Sequence, residues 1–351
     1  MFTIRNLLCA LALFLFVTPA QAQEATPPAV TPPATTEPAA TEAAPAPAPE
    51  VTLPQEVTVG VYINDIQQLD LQSHSYAMDF YVWLRWKNPD ATPAATLEYM
   101  NPFQLWGHIS TPLYEAPQDL PDGSKYMAVR YQGQFNSKLP LEKYPFDSQN
   151  LIFEFEDNSA GAGTQIFVPD TNPITLNPEL TLPGYVLGTP TLTVASKPYP
   201  TNFGDTRLTQ LEPYSRVTVS VPVHRPKLTY ALKTIMPIFL VAACAALVFW
   251  IHPSFVEGRI GMGITALLTL VALQLTTNSL LPEVDYLMMI DLLYFVAYLF
   301  VITSLAQVVR TSWAAHRGDD AKAIAQDRLA FKVLGGLFVV SFALIMANGL
   351  S

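Results

Sequence analysis

Between Gln55 and Pro226 apolar and polar residues alternate in short runs. "VTVGVYI", "YAMDFYVWLRW", "MAVRYQGQF", "LIFEFE", "TLTVAS" and "RVTVSVPV" all change sides at every residue. That period of two is the mark of a strand with one buried face. Turn residues part the runs: Pro121-Asp122-Gly123, the Ala-Gly-Ala-Gly run at 160–163, and Asn172-Pro173. The pattern predicts one antiparallel sandwich over 55–226, and a carbohydrate-binding or adhesion module would read the same at this level. After Leu228 alternation gives way to long apolar runs. Their cores are Ile235 to Ile251, Ile260 to Leu281, Tyr286 to Val309 and Phe331 to Met346, the last lengthened by Leu329 to Leu350. Each is long enough to cross a bilayer, and the rest of the segment is too short to cover them as core helices. Four spans are expected, at about 228–251, 258–281, 286–310 and 328–349, within a membrane domain at 227–351. The fold class is therefore α+β and multi-domain: an extracellular, immunoglobulin-like antiparallel β-sandwich followed by a four-helix transmembrane bundle.

The first residues read differently. Arg5 precedes an apolar run, Leu7 to Val17, and Ala20-Gln21-Ala22 has the small-x-small form of a cleavage site. Residues 1–22 are expected to be a signal peptide; a membrane anchor is the alternative. Cleavage there removes Cys9 and leaves Cys244, inside an apolar span, with no intrachain partner. Residues 23–54, mostly Ala, Pro, Thr and Glu, cannot bury a core and are expected to form a disordered tether. Half of the residues are hydrophobic and only 14% are charged, which suits a membrane protein. A net charge of −10 and the lack of a basic patch argue against nucleic acid as a partner.

Positive residues set the orientation. Arg259 lies between spans one and two, and Arg310, Arg317, Lys322 and Arg328 lie around the link between spans three and four. "PEVDY", between spans two and three, has no Lys or Arg. The positive-inside rule puts the sandwich and the C-terminus on the outer side, as a signal peptide also requires. A multi-pass protein of a cell inner membrane, with both ends in the periplasm, is expected.

The second span stands apart. It carries Gly261, Gly263, Thr265, Thr269, Gln274, Thr276, Thr277 and Asn278, groups of no use against lipid. Gly258, Thr265, Ala272 and Ser279 recur every seven residues; Gly261, Leu268 and Leu275 fall on adjoining rows. Together they form one narrow stripe, as in a helix bundled with like helices. Glu257 stands at one end and Leu268 in the middle. Symmetric copies would give a carboxylate ring, which favours cations, and an apolar ring able to close by dewetting. A tightly packed, non-conducting helix seam gives the same spacing.

These features resemble the pentameric ligand-gated ion channels, or Cys-loop receptors, most nearly their prokaryotic branch. The resemblance covers about Gln55 to Leu350. It rests on "YPFDSQ" at 144–149, Trp86 closing a long strand, Arg225 twelve residues before Pro237, "LLTL" at 267–270 and Pro282 closing the second span. It implies a homopentamer with Glu257, Gly261, Thr265, Leu268, Ala272 and Leu275 facing the lumen. It implies a gating interface of Asp70, Pro145, Phe146, Asp147, Arg225 and Pro282. There Pro145 fixes the backbone, Phe146 wedges among helix ends, and Asp147 pairs with Arg225, Asp70 being a second candidate partner. By its residues alone, Asp147 reads as a turn cap. The paired cysteines of animal members would fall at Ser137 and Leu151, so the disulfide is missing. The link between spans three and four, Ser312 to Asp327, is too short for an intracellular domain.

In this family the agonist pocket lies between neighbouring sandwiches and is lined by aromatic residues. The resemblance carries Tyr81 to one side and Tyr214, with either Tyr199 or Phe203, to the other. Asn158 stands where animal members often have tryptophan, beside Glu156 and Asp157, so the aromatic cage is incomplete. Ordinary sandwich packing is the alternative for each ring. His74, in a turn after Asp70, is a candidate pH sensor, with a solvated bystander as its alternative. Glu115, Asp119 and Asp122 form an acidic group without a known calcium-loop spacing, and the metal content stays open. The function expected is a cation-selective, ligand-gated channel, passing monovalent cations and modulated by protons or divalent ions. A non-conducting, membrane-anchored receptor is the alternative. The five histidines show no ligand spacing and no nucleophile or phosphate motif occurs, so no enzyme and no cofactor are expected.

Overall fold

The computed structural model describes residues 53–202, 204 and 212–350. The signal peptide expected at 1–22, nearly all of the tether at 23–54, and Phe203 lie outside them. Eleven strands are described: β1 (Gln55–Asp70), β2 (Ser75–Trp86), β3 (Leu97–Tyr99), β4 (Ile109–Pro112), β5 (Gln118–Asp119), β6 (Lys125–Asn136), β7 (Ser148–Asp157), β8 (Gln165–Leu176), β9 (Val186–Leu187), β10 (Thr191–Lys197) and β11 (Tyr214–His224). One sheet runs β4-β6-β2-β1-β8, with β5 beside β6. The other runs β10-β11-β7-β3, with β9 beside β11. Alternation fixes which residues face inward. Ile63 stands opposite Phe80, Val61 opposite Val82, and Val219 opposite Phe153. These side chains are fully buried between the sheets, where Phe80 stacks on Phe153 at 4.1 Å. All pairs run antiparallel except β1 with β8, which are parallel. Parallel neighbours need a long crossover, and the chain between these strands supplies it.

Four helices follow, each long and apolar enough to cross a membrane: α1 (Lys227–Trp250), α2 (Val256–Asn278), α3 (Met289–His316) and α4 (Asp320–Leu350). The mean hydropathy of α2 is 1.7, against 2.1 to 2.3 for the others, because of its polar residues. Inside α1 a wide, π-type turn at Ala231–Ile235 precedes Pro237, whose missing N–H breaks the regular ladder. The apolar runs locate the spans but not the helix ends. Helix α3 continues past 310 through Thr311, Ser312 and His316, and α4 starts before 328 with Asp320, Lys322 and Asp327, because polar and charged residues extend the helices beyond their apolar parts. The expected link from Ser312 to Asp327 is thus mostly helix, and the turn is Arg317 to Asp319. Gly318 makes it with φ +88, a left-handed conformation that suits glycine. The Gly318 and Asp319 N–H groups donate to the carbonyls of Ala315 (2.9 Å) and Ala314 (3.1 Å).

Candidate functional site

Helix α2 buries one side and leaves the other open. Arg259, Gly263, Ala266 and Leu270 are buried within the chain. Gly263 lets α2 approach α3, since a Cβ there would lie 2.2 Å from Leu305 Cδ2. Glu257, Gly261, Thr265, Leu268, Ala272 and Leu275 are all exposed, and so are Gly258 and Ser279. Not every polar group of α2 joins this stripe. Gln274 accepts a hydrogen bond from Tyr298 (2.7 Å), and the Thr277 hydroxyl is 2.9 Å from that of Tyr294, so both tie α2 to α3. Glu257 sits in the first turn, where the helix dipole favours an anion.

The sandwich meets the helices through the loop that precedes β7. Leu141, Tyr144 and Phe146 are buried in the same cluster as Leu281, Ile290, Leu293 and Tyr294. Pro145 lies between two of these anchors. Two main-chain groups close the joint: Leu141 N–H donates to the Tyr286 hydroxyl (3.0 Å), and Met289 N–H donates to the Glu142 carbonyl (2.8 Å). Pro282, partly buried, ends the turn that leaves α2.

Beside this wedge Asp147 and Arg225 form a buried ion pair, with Arg225 Nε 3.1 Å from Asp147 Oδ1. The second carboxylate oxygen accepts from Gln149 Nε2 at 2.6 Å. The guanidinium also lies over three tyrosine rings, Tyr144 at 5.1 Å and Tyr185 and Tyr230 at 4.7 Å each. Burial opposes charge on Arg225, Asp147 and the tyrosines favour it, and the balance leaves its pKa above the ordinary value. Asp70 does not join this pair. Its carboxylate accepts from Gln72 N–H (2.9 Å) and the Ser73 hydroxyl (2.7 Å) in a local turn. His74, with φ 53, borders a cleft of about 800 Å³ shared with Lys138, Glu142, Glu283, Asp285 and Tyr286.

The candidate pocket residues divide between the two sheets. On β7 and β11, register places Arg216 next to the Val217–Phe155 pair and beside Glu156. Arg216 Nε donates to Glu156 Oε1 (2.6 Å), and another of its nitrogens donates to Glu154 (3.0 Å). The Tyr199 hydroxyl donates to Glu156 Oε2 at 2.9 Å and accepts from Arg216 at 2.7 Å. Tyr214 meets Tyr199 edge to face at 5.7 Å. Glu156 therefore points away from the core yet is only 4% exposed. Burial and the Glu156 carboxylate push the Tyr199 phenol up, against Arg216. Asn158 is exposed at the end of β7, where its N–H bonds the Thr96 carbonyl (3.0 Å). Tyr81 lies on the other sheet, near Tyr62 (6.2 Å) and under the Arg130 guanidinium (5.5 Å). One chain does not bring Tyr81 to Tyr199.

Residues 234–331 match the family model of the neurotransmitter-gated ion-channel transmembrane region. The theta subunit of the gamma-aminobutyric acid receptor of Mus musculus is 25% identical over 278 residues, 73% of this chain and 42% of the relative. A beta-like subunit of the gamma-aminobutyric acid receptor of Drosophila melanogaster is 24% identical over 193 residues, 55% of this chain and 37% of the relative. A proton-gated ion channel of Gloeobacter violaceus is 21% identical over 306 residues, 82% of each chain. These matches liken residues 234–331 to the transmembrane region of neurotransmitter-gated channels, with channel and receptor subunits as relatives at 25% identity or less. The chain spans less than half the length of the two receptor subunits. With its four apolar helices and this channel region, it is a multi-pass membrane protein.

Arg216, Tyr185, Tyr230 and Tyr286 were not singled out by the sequence. Arg216 had one legible signal, an arginine at an outward position of a strand. The tyrosines had none, since each reaches its partner through tertiary packing.

Proposed function

We propose that five copies of this chain form a cation-selective, ligand-gated channel whose α2 helices line the pore. The observation that carries this reading is a contrast between exposed faces. On α4 the exposed residues include Leu329, Val333, Leu337, Val340 and Leu344, a surface for acyl chains. On α2 they include Glu257, Gly258, Gly261, Thr265, Thr269, Ala272, Thr276 and Asn278, beside the apolar Ile264, Leu268, Val271 and Leu275. Small and hydroxyl groups suit close helix packing around water better than lipid. In the assembly Glu257 forms the selectivity ring and Leu268 the constriction.

Gating runs through the joint. A shift of the sandwich moves Pro145, Phe146 and the Asp147–Arg225 pair against Pro282 and the start of α3, and so tilts α2. Asp70 contributes by shaping the turn that holds His74. The ligand pocket forms between copies, with Glu156, Asn158, Tyr199, Phe203 and Tyr214 from one sandwich and Tyr81 from its neighbour. The separation of these residues on opposite sheets supports that division. The relatives carry names that point to different stimuli, a gamma-aminobutyric acid and protons. Both are candidate stimuli for this chain, and His74 is the residue offered for proton sensing. Basic residues around Arg259 and Arg317 support a cytoplasmic position for that end of the bundle, and with it a sandwich in the periplasm of an inner membrane.

The deciding experiment records currents from the purified full chain in planar bilayers under a salt gradient, while pH and small amines are varied. Wild type should show a cation-selective reversal potential, and Glu257→Gln should move it toward zero. A reversal potential unmoved by Glu257→Gln removes the selectivity ring. A protein silent under every stimulus leaves the reading of a non-conducting receptor.

A further inference from the structure

Glu257 and Arg259 are two residues apart in the first turn of α2. If both faced the lumen, each copy would bring one negative and one positive charge to the same mouth, and the field on passing ions would nearly cancel. Two steps along an α-helix turn about 200°, so the two side chains leave on opposite sides. Glu257 is on the exposed side, whereas the Arg259 side chain is 0% exposed.

Geometry alone would still leave a buried, permanently charged guanidinium close to the mouth. The chain supplies a partner for each of its nitrogens. One terminal nitrogen donates to Asp327 Oδ2 at 2.6 Å, from α4. The other donates to the Thr311 hydroxyl at 3.3 Å, from α3. Nε donates to the Val248 carbonyl at 3.2 Å, near the end of α1. Asp327 is itself 1% exposed, and its second oxygen lies 3.1 Å from the Thr311 hydroxyl. Three helices thus converge on one side chain of α2. A buried pair of this kind is a weak source of stability against an apolar replacement, but losing one partner strands the other charge.

We propose that Asp327, a buried residue of α4, is a selectivity-positioning residue. It holds Arg259 away from the permeation path and cancels its charge, so that Glu257 is the uncompensated charge at that mouth. The inference rests on the reading that α2 lines a cation-selective pore. Without Asp327, the guanidinium has lost its anion, and its uncompensated charge stays behind the Glu257 ring in a low-dielectric bundle that screens it poorly. A positive field at that mouth weakens the ring's attraction for permeant cations.

The test measures reversal potentials in a salt gradient for wild type, Glu257→Gln, Asp327→Asn and the double variant Arg259→Gln/Asp327→Asn. Asp327→Asn should lower the cation-to-anion permeability ratio by on the order of tenfold, equivalent to about 1.4 kcal/mol in relative barrier height. The double variant, with neither charge, should keep the wild-type ratio. A shift with Glu257→Gln but none with Asp327→Asn overturns the inference and leaves the pore reading standing. No shift with Glu257→Gln takes both down. If Asp327→Asn yields no current, the double variant decides: a wild-type ratio supports the role, and a changed ratio overturns it. A double variant that is also silent overturns it too, because a partner needed only to neutralise Arg259 is dispensable once that charge is gone. Total current alone does not score, since a merely structural role would change the number of working channels and leave the ratio alone.

Discussion

Arg225 and Asp147 meet 3.1 Å apart at the seam between sandwich and helices, both almost wholly buried. The pair joins the strand that leads into α1 to the loop that wedges among the helix ends. Removing the carboxylate leaves a guanidinium that cannot lose its proton. Asp147→Ala should therefore destabilise the protein by about 3–5 kcal/mol, the usual cost of stranding one member of a buried pair. Thermal unfolding of the detergent-solubilised protein measures this. Asp147→Asn retains an acceptor and should cost less. Equal melting temperatures for wild type and Asp147→Ala would show that the tyrosine rings alone suffice for Arg225.

Leu268 is 63% exposed on α2, in the middle of the proposed lumen. Leu268→Ser puts a hydroxyl where the constriction must dewet to close. Currents at rest should rise, or the stimulus needed for half-activation should fall, in single-channel recordings. A closed resting state with unaltered sensitivity would place the constriction elsewhere on the stripe.

Gly263 tests how closely α2 must lie against α3. A valine there meets the Leu305 side chain, and overpacking of this kind costs about 1–3 kcal/mol. Gly263→Val should lower thermal stability, and Leu305→Ala in the same chain should restore part of it. Gly261, where an added Cβ meets nothing within 4 Å, should accept alanine with little change in stability. The two glycines lie two residues apart, and only one faces a neighbouring helix within the chain.

Asp79 gives the sandwich a pH dependence. Its hydrogen bond from Arg130 outweighs burial and, with Asn64, holds its carboxyl below the usual carboxylate range. A depressed folded-state pKa adds stability that is fully present above the unfolded value and is lost as pH falls through the folded one. Melting temperatures should fall through that acidic window in wild type, and less steeply in Asp79→Asn.

The sequence and the structure agree where local pattern controls the outcome. Strand β7 shows this: Leu151, Phe153 and Phe155 alternate in the chain and are all fully buried. The stripe of α2 is equally local, because helical spacing alone puts Glu257, Leu268 and Leu275 on one side. Glu156 shows where pattern runs out. Alternation sends it outward, and only the pairing of β7 with β11 brings Arg216 onto it. Asp70 was offered as a partner for Arg225, but its neighbours Gln72 and Ser73 hold its carboxylate in a turn. Arg259 read as one of several charges orienting the bundle. Its burial depends on Asp327, 68 residues away, which no local window contains. The turn at Gly318 has a local signal in "HRGDD", a glycine followed by aspartate, which the expected link from Ser312 to Asp327 did not use.

The hydrogen bond from Met289 N–H to the Glu142 carbonyl has a consequence for assembly. The opening turn of any helix has donors with no partner inside it, and here a loop of the sandwich supplies one acceptor. Helix α3 is completed from outside the membrane by another part of the same chain. Bundle maturation is thus coupled to docking of the outer domain, and a transmembrane segment expressed without its sandwich would begin α3 with a frayed end.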